Sequence, residues 1–210
     1  MATGFRSIVC GCLSARPVRN SWHGFAVSSF SRKSRVTRMA SKRAKAALAA
    51  ALASGMSVVA FTSSTLTIPW EGKSNVAYWD ALGKVWTVCY GETKGVKRGD
   101  RYTDVECMDM LHKRMSGDFE TPLRACLVNY DAMPFSVKAS FLDLAWNVGV
   151  PTVCRSTAAK RAGARNWAGA CEAMTWFNKA AGRVVRGLDF RRKEGDATRI
   201  GEREICLAGL

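Results

Sequence analysis

Residues 70–93 read WEGKSNVAYWDALGKVWTVCYGET, and the rest of the chain is organised around them. Glu71 follows a long uncharged run, and Asp80 comes nine residues later, directly before an Ala-Leu-Gly turn. Beyond the turn, residues 85–90 are rich in the β-branched and aromatic types that favour strands. The pattern predicts two carboxylates on opposite sides of a short β-hairpin.

Two such carboxylates are what glycoside cleavage requires. One is kept protonated, which apolar surroundings favour, and donates its proton to the leaving oxygen. The other stays ionised in polar surroundings and handles water or the positive charge that develops on the sugar. A lone Glu and Asp at this spacing are usually surface charges, so the hypothesis depends on the residues around them.

This stretch resembles the catalytic motif of the phage-type muramidases, glycoside hydrolase family 24. By the resemblance, Glu71 is the general acid, Asp80 is the second carboxylate, and Thr87 helps to hold the attacking water. The sequence departs from the family pattern twice. The interval from Asp80 to Thr87 is one residue longer, and Glu92 stands where many members carry a histidine.

Further matches to this family follow in order as far as residue 207. They are AWNVG at 145–149, Ser156-Thr157, the segment 176–183, and GLDFRRKE at 187–194, which an insertion at 195–200 follows. Asn147 is a candidate for substrate binding in the cleft, or it caps the helix before Gly149; both roles stay open. The arginines of the last motif are expected to support the fold by ion pairs rather than to contact substrate.

The resemblance implies a predominantly helical α+β, lysozyme-like fold for residues 71–210. A small lobe would hold the hairpin 79–92, a larger helical lobe would hold residues 122–210, and a helix from Thr103 would join them. The implied activity is hydrolysis of the β-1,4 bond between N-acetylmuramic acid and N-acetylglucosamine in bacterial peptidoglycan. We expect a monomer with no metal and no organic cofactor. Inversion or retention at the sugar, and hydrolysis or transglycosylation, stay open.

The basic charge is concentrated in the first third of the chain. The net charge is +15 from 32 Lys and Arg against 17 Asp and Glu. Residues 1–70 hold ten of the basic residues and no acidic residue, so the remaining 22 basic residues leave residues 71–210 at +5. Because the excess charge lies in a tail rather than on an aromatic-lined face, we expect no nucleic-acid binding. A modestly basic domain suits an anionic wall polymer.

Residues 1–38 form a basic extension without a helical or strand period. Three interpretations are open. The segment is an organelle-type presequence, or it is a disordered basic arm, or it results from translation at an upstream start codon, with the true start at Met39. We favour the upstream start, because MASKRAK at 39–45 already has the form of a short basic region before an apolar run.

The uncharged run Ala46–Trp70, called here the apolar segment, is 25 residues long. A bilayer span needs roughly 20 apolar residues, but this run is rich in Ala, Ser and Thr and would insert only marginally. It resembles the signal-arrest-release anchor of phage endolysins, with residues 39–70 as the anchor region. A cleaved signal peptide and a permanent anchor are the alternatives.

The expected location follows from the basic residues before the apolar segment. Lys42, Arg43 and Lys45 would keep the N-terminus cytoplasmic while residues 46–66 lie in the bacterial inner membrane. The catalytic domain would then be periplasmic and later be released from the membrane. Since residues 39–70 contain no cysteine, a thiol switch has no donor there, and we expect control by position. Glu71 would join Asp80 only after the apolar segment leaves the lipid.

Two local signals predict helices in the second half of the chain. Thr103 and Glu106 form a capping box, after which Val105, Met108, Leu111, Met115 and Phe119 recur at helical spacing and predict a helix with one buried face. The same rules predict helices from Pro122, from Pro134 and after Asn166, which is the expected cap of its helix.

Six cysteines lie in residues 71–210: Cys89, Cys107, Cys126, Cys154, Cys171 and Cys206. With no Cys-x-x-Cys pattern and only two histidines in the chain, a zinc site is not expected. An even count suits disulfides in an oxidising periplasm. Six cysteines allow 15 pairings, and our hypothesis is 89–107, 126–154 and 171–206.

Two rival functions belong to other classes. A non-enzymatic membrane-active protein would disrupt bilayers with its basic tail and apolar segment, while the folded part only bound the wall polymer. An imported organellar protein would require residues 1–38 to be translated and then removed.

Overall fold

The computed structural model describes residues 41–81 and 83–210. The alternatives set out for residues 1–38, and the proposed start at Met39, lie outside the described residues. The helices are α1 Lys42–Ala53, α2 Val58–Thr62, α3 Ile68–Trp70, α4 Asp104–Arg114, α5 Thr121–Cys126, α6 Phe135–Val148, α7 Val150–Cys154, α8 Thr157–Gly163, α9 Trp167–Met174, α10 Arg186–Arg192 and α11 Glu202–Ala208. The strands are β1 Ser74–Asp80, β2 Val85–Cys89, β3 Lys179–Ala180 and β4 Arg183–Val184.

Strands β1 and β2 form the expected antiparallel hairpin, with Trp79 opposite Trp86 and Asp80 opposite Val85. The hairpin begins at Ser74, five residues before the expected start. The start at residue 79 is therefore wrong, and the reason is a second pairing partner for β1. The N–H of Ala77 donates to the carbonyl of Asp100, and a segment that far along the chain gives no local signal.

Helix α4 begins at the predicted capping box, in which Thr103 and Glu106 bond reciprocally. The prediction that Val105 belongs to its buried face is wrong, because that side chain is 70% exposed. The face that packs inward is Cys107, Leu111 and Met115, one residue every four. Cys107 on this face is bonded to Cys89 of β2.

Helix α6 is the centre of the helical lobe. Its residues 136, 137 and 139–145 are all buried, so the helix is enclosed on almost every side. Helices α2, α9 and α11 pack around it. Pro134 occupies the position before its first residue, as expected, and Asn166 caps α9 through the N–H of Gly169.

The apolar segment lies in two helical arms. The first arm is α1, which ends in a turn at Gly55, where φ is +65°. The second arm runs from α2 through a π-helical turn, Ser63–Thr67, into α3. Across residues 41–81 and 83–210, no helix is both long enough and apolar enough to cross a bilayer.

One face of each arm is buried against the rest of the protein. Leu48 of α1, with Phe61 and Leu66 of the second arm, packs in one cluster with Ala139 of α6 and Ile205 of α11. Phe61 and Leu66 are 1% and 0% exposed. In this structure the apolar segment is therefore part of the hydrophobic core.

The 194–200 loop contacts the chain just before the apolar segment and again at the end of that segment. Arg43 donates to the carbonyls of Glu194 and Asp196 at 2.8 and 2.7 Å. At the other end, the indole N–H of Trp70 donates to the carbonyl of Ile200 at 2.9 Å, and the guanidinium of Arg199 lies 3.9 Å from the Trp70 ring. The insertion noted in the sequence thus serves as a contact surface for this region.

Within the described residues, three disulfides tie the elements together. They are the three pairs of the sequence hypothesis: Cys89–Cys107, Cys126–Cys154 and Cys171–Cys206. The first joins the hairpin to α4, the second joins α5 to α7, and the third joins α9 to α11.

Candidate active site

Glu71 lies at the junction where helical backbone becomes extended. Its N–H completes the last helical turn by donating to the carbonyl of Thr67 at 3.0 Å, while its own φ and ψ are −88° and 146°. Since β1 begins three residues later, the carboxylate is presented between the end of the second arm and the hairpin. The Glu71 side chain is 29% exposed, which leaves it accessible to a ligand.

An arginine from the far end of the chain holds this carboxylate. Nη1 of Arg191 donates to Oε1 of Glu71 at 2.8 Å. The surroundings of Glu71 therefore differ from the apolar ones expected from sequence, because Arg191 is 120 residues away and its approach depends on the tertiary fold. The expectation that arginines of the 187–194 motif form ion pairs agrees with this contact.

Arg191 is fixed from its other side by Asp143 of α6. Nε and Nη2 of Arg191 donate to Oδ2 and Oδ1 of Asp143 at 3.1 and 2.9 Å, a bidentate pair of the strongest kind. Burial lowers the pKa of Arg191, but the charges and hydrogen bonds of Asp143 and Glu71 outweigh burial and raise its pKa overall. The guanidinium is therefore a permanent cation beside Glu71.

The neighbouring Arg192 points into a separate buried pair. It donates to Glu202 and to the side-chain oxygen of Asn147. Burial lowers the pKa of Arg192 to about 10, which leaves it charged at neutral pH. Asn147 is exposed at the end of α6, and its oxygen accepts from Arg192. The capping role considered for Asn147 is wrong, because the helix is closed by Gly149, whose N–H donates to the carbonyl of Ala145.

Asp80 and Thr87 share one face of the hairpin. Thr87 is directly opposite Tyr78, and Tyr78 lies two residues from Asp80 on the same strand, so the two residues are diagonal neighbours. Gly83 makes room for the carboxylate, because a Cβ there would lie 2.9 Å from Oδ2 of Asp80. Thr87 is 4% exposed, and its hydroxyl lies 3.5 Å from the carbonyl of Val85.

A second group lies where the end of the hairpin meets α4. Oε1 of Glu92 accepts from the N–H groups of Thr93 and Lys94 and lies 3.4 Å from Nη1 of Arg114. The Arg114 guanidinium lies 5.5 Å from the ring of Trp146. Sequence reasoning missed Arg114 altogether; the departure at Glu92 was the available signal, since a carboxylate in place of a histidine calls for a cationic partner.

An open cavity of about 390 Å³ adjoins this group. Its lining is Glu92, Lys94, Met110, Lys113, Arg114, Gly117 and Asp118. Neither Glu71 nor Asp80 lines it, so it is not by itself a place for bond cleavage. Within residues 41–81 and 83–210, no group of three His, Cys, Asp or Glu side chains is arranged to hold a metal ion.

Comparison with known proteins gives one consistent family. Residues 68–195 match the family described as Phage lysozyme. The SAR-endolysin of Enterobacteria phage P21 is 33% identical over 171 residues, which cover 78% of this chain and 94% of the relative. The SAR-endolysin of Enterobacteria phage PA-2 is 32% identical with the same coverage.

Solved structures share the fold. The active form of the P1 phage endolysin superimposes with a TM-score of 0.59 at 22% identity, covering 79% of this chain and 94% of that one. A P22 lysozyme mutant gives a TM-score of 0.55 at 20% identity and covers 68% and 98%. The predicted α+β, predominantly helical lysozyme-like fold is confirmed.

Proposed function

Because the chain belongs to the phage lysozyme family, and is thereby a muramidase-type glycoside hydrolase of the endolysin kind, we propose that it cleaves the β-1,4 bond between N-acetylmuramic acid and N-acetylglucosamine in bacterial peptidoglycan. The observation that carries this proposal is the placement of Glu71. A half-exposed carboxylate stands beside a fixed cation, between a helix end and a hairpin that presents a second carboxylate.

In the proposed reaction, Glu71 in its protonated form donates its proton to the oxygen of the leaving sugar. The bond from that oxygen to the anomeric carbon breaks, and Glu71 is left as a carboxylate. Arg191 at 2.8 Å stabilises the negative charge that appears at this step. No metal or organic cofactor is needed for this proton transfer.

Asp80 and Thr87 supply the water side of the reaction. Asp80 as a carboxylate accepts a proton from the attacking water, while the Thr87 hydroxyl orients that water from the same face of the hairpin. A separation of roughly 6.5–9.5 Å between the two catalytic carboxyl groups gives inversion, and about 5 Å gives retention. Asn147, which is exposed at the end of α6, is the proposed sugar-binding residue of the helical lobe.

The second part of the proposal concerns location. Residues 39–70 act as a signal-arrest-release anchor, with residues 46–66 in the inner membrane and residues 71–210 in the periplasm until release. The packing of Phe61 and Leu66 in the core supports a released form in which the apolar segment has become part of the enzyme. An active enzyme with this segment still in the bilayer would contradict the proposal.

The activity is tested by digesting purified peptidoglycan with the full chain and analysing the fragments by mass spectrometry. Glu71→Gln and Asp80→Asn are compared with Asp109→Asn, an exposed carboxylate of α4 outside the site. We expect losses of about 10²–10⁴-fold for Glu71→Gln and wild-type digestion for Asp109→Asn.

The fragments distinguish the rival functions. Reducing-end muramic acid products that disappear in Glu71→Gln support the muramidase. Anhydro-muramic products would identify a lytic transglycosylase instead. Cell lysis that persists in Glu71→Gln, without digestion of the polymer, would identify the non-enzymatic membrane-active protein.

A further inference from the structure

The apolar segment contributes one hydroxyl to the ion-pair system of the site. Thr67, at the end of the π-helical turn, is fully buried, and its Oγ1 donates to Oδ1 of Asp143 at 2.8 Å. Asp143 is also fully buried, and it is the carboxylate that holds Arg191. A continuous line of hydrogen bonds therefore runs from Thr67 through Asp143 and Arg191 to Glu71.

The two inner members of this line, Asp143 and Arg191, each have a partner on either side. Asp143 receives two hydrogen bonds from Arg191 and one from Thr67, and Arg191 gives its remaining Nη1 to Glu71. The carboxylate of Glu202 is further away, with Oε1 at 3.8 Å from Nε of Arg191. In a buried network of this kind each bond fixes the direction of the next, because the groups have no water to turn toward.

We propose that Thr67 and Asp143 are positioning residues for the general acid: Thr67 orients the Asp143 carboxylate, Asp143 orients Arg191, and Arg191 sets the position of Glu71. This inference rests on the proposed function, because it takes Glu71 as the acid. Its new content is that a hydroxyl of the apolar segment controls the geometry of the reacting carboxylate.

This line of hydrogen bonds also explains how packing of the apolar segment affects the position of Glu71. Thr67 lies one residue beyond the part placed in the membrane, residues 46–66, and four residues before Glu71. While residues 46–66 are in lipid, Thr67 cannot occupy its buried place beside Asp143. Asp143 then lacks its third hydrogen-bond donor. As a result, Arg191 no longer holds the carboxyl group of Glu71 in position. Docking of the second arm restores both.

The test uses purified full-length protein and kcat and KM on soluble peptidoglycan strands. Thr67→Val keeps the shape of the side chain and removes the hydroxyl, whereas Thr67→Ser keeps the hydroxyl. We expect Thr67→Val to lower kcat by about 10- to 100-fold, the loss typical of a reacting group displaced by about 1 Å. KM should stay near the wild-type value, and Thr67→Ser should retain most of the activity.

Thr62→Val is the matched control. Thr62 lies in the same arm and is also fully buried, and its hydroxyl donates to a backbone carbonyl, that of Ala139, at 3.4 Å. Both Val variants remove one buried hydroxyl and make the apolar segment equally more hydrophobic. They therefore share any effect on folding or membrane release, and only Thr67→Val should lower kcat of the released enzyme. Thermal unfolding of both variants checks that their stabilities are comparable.

Asp143→Asn provides a second test of the inference if Thr67→Val folds poorly. This variant should lower kcat more than Thr67→Val does. Wild-type kcat in Thr67→Val, or a parallel loss in Thr67→Val and Thr62→Val, would overturn the inference. Those results leave the proposed function intact as long as Glu71→Gln is inactive. Full activity in Glu71→Gln would instead remove the proposed function, and this inference with it.

Discussion

The Nε of Arg43 lies 2.8 Å from Oε1 of Glu204, which is 161 residues further along the chain. The same guanidinium donates to carbonyl oxygens of the 194–200 loop. Arg43 belongs to the basic cluster that would stay in the cytoplasm while the apolar segment spans the membrane. Under the proposed anchoring, its contact with Glu204 would form only after release, and it would favour the released state over the anchored one.

Replacing Arg43 by Met should destabilise the folded protein. Glu204 is only 3% exposed, so the substitution leaves a buried carboxylate without its main cation. Because the Arg43 side chain is itself 37% exposed, we expect a loss of about 1–3 kcal/mol in the free energy of unfolding. Urea-induced unfolding of the purified protein measures it.

Lys45→Met is the control for Arg43→Met. Lys45 is exposed on α1, and its substitution removes one positive charge from the same flank of the apolar segment as Arg43→Met does. Its loss should change the free energy of unfolding by no more than about 0.5 kcal/mol. Equal effects from the two variants would show that the Arg43 contacts with Glu204 and the loop add nothing to stability.

Leu66→Ala should show directly whether the apolar segment is part of the core in solution. Leu66 is fully buried, so the substitution leaves a cavity and should cost about 2–5 kcal/mol. Leu52→Ala is the matched variant, because Leu52 lies in the same segment but is 55% exposed. Both changes lower the hydrophobicity of the segment equally, yet only Leu66→Ala should lower the unfolding midpoint. Two identical midpoints would contradict the packing.

Local signals in the sequence predicted local structure well. Thr103 and Glu106 lie within one helical turn, so the start of α4 could be identified without knowing the fold. The exposure of Val105 could not be predicted in this way, because it depends on which face of α4 turns toward the rest of the protein, and the fold places Cys107, Leu111 and Met115 there. The contact of Arg191 with Glu71 joins residues 120 positions apart, so no local signal in the sequence could reveal it.

Acid should weaken the 194–200 loop through Asp196. Hydrogen bonds from Arg199 and from the N–H groups of Arg199 and Thr198 hold the pKa of Asp196 far below its ordinary value. A lowered folded-state pKa adds stability above the unfolded-state value of about 3.9, and that stability is lost as the pH falls through the folded-state pKa. The free energy of unfolding should therefore fall between about pH 5 and about pH 2.

Asp196→Asn isolates this effect. The variant should be less stable than wild type near neutral pH, and the two stability curves should converge as the pH is lowered. Arg199→Gln removes the largest cause of the shift, so its curve should converge with wild type in the same range. Curves that stay parallel down to about pH 2 would assign the acid sensitivity to other carboxylates.

Mild reductant should open the disulfides in a definite order. Thiol–disulfide exchange requires access of a thiolate to a sulfur. Cys126 and Cys154 are both partly exposed, whereas Cys89, Cys107, Cys171 and Cys206 are 3% exposed or less. Cys126–Cys154 should therefore be reduced first under native conditions, and alkylation with mass spectrometry identifies the freed thiols.

Removing the Cys126–Cys154 disulfide by the double substitution Cys126→Ser and Cys154→Ser should lower the free energy of unfolding by about 3–4 kcal/mol, because this disulfide closes a loop of 28 residues. Earlier reduction of Cys171–Cys206 would mean that α9 and α11 separate more readily than their full burial indicates.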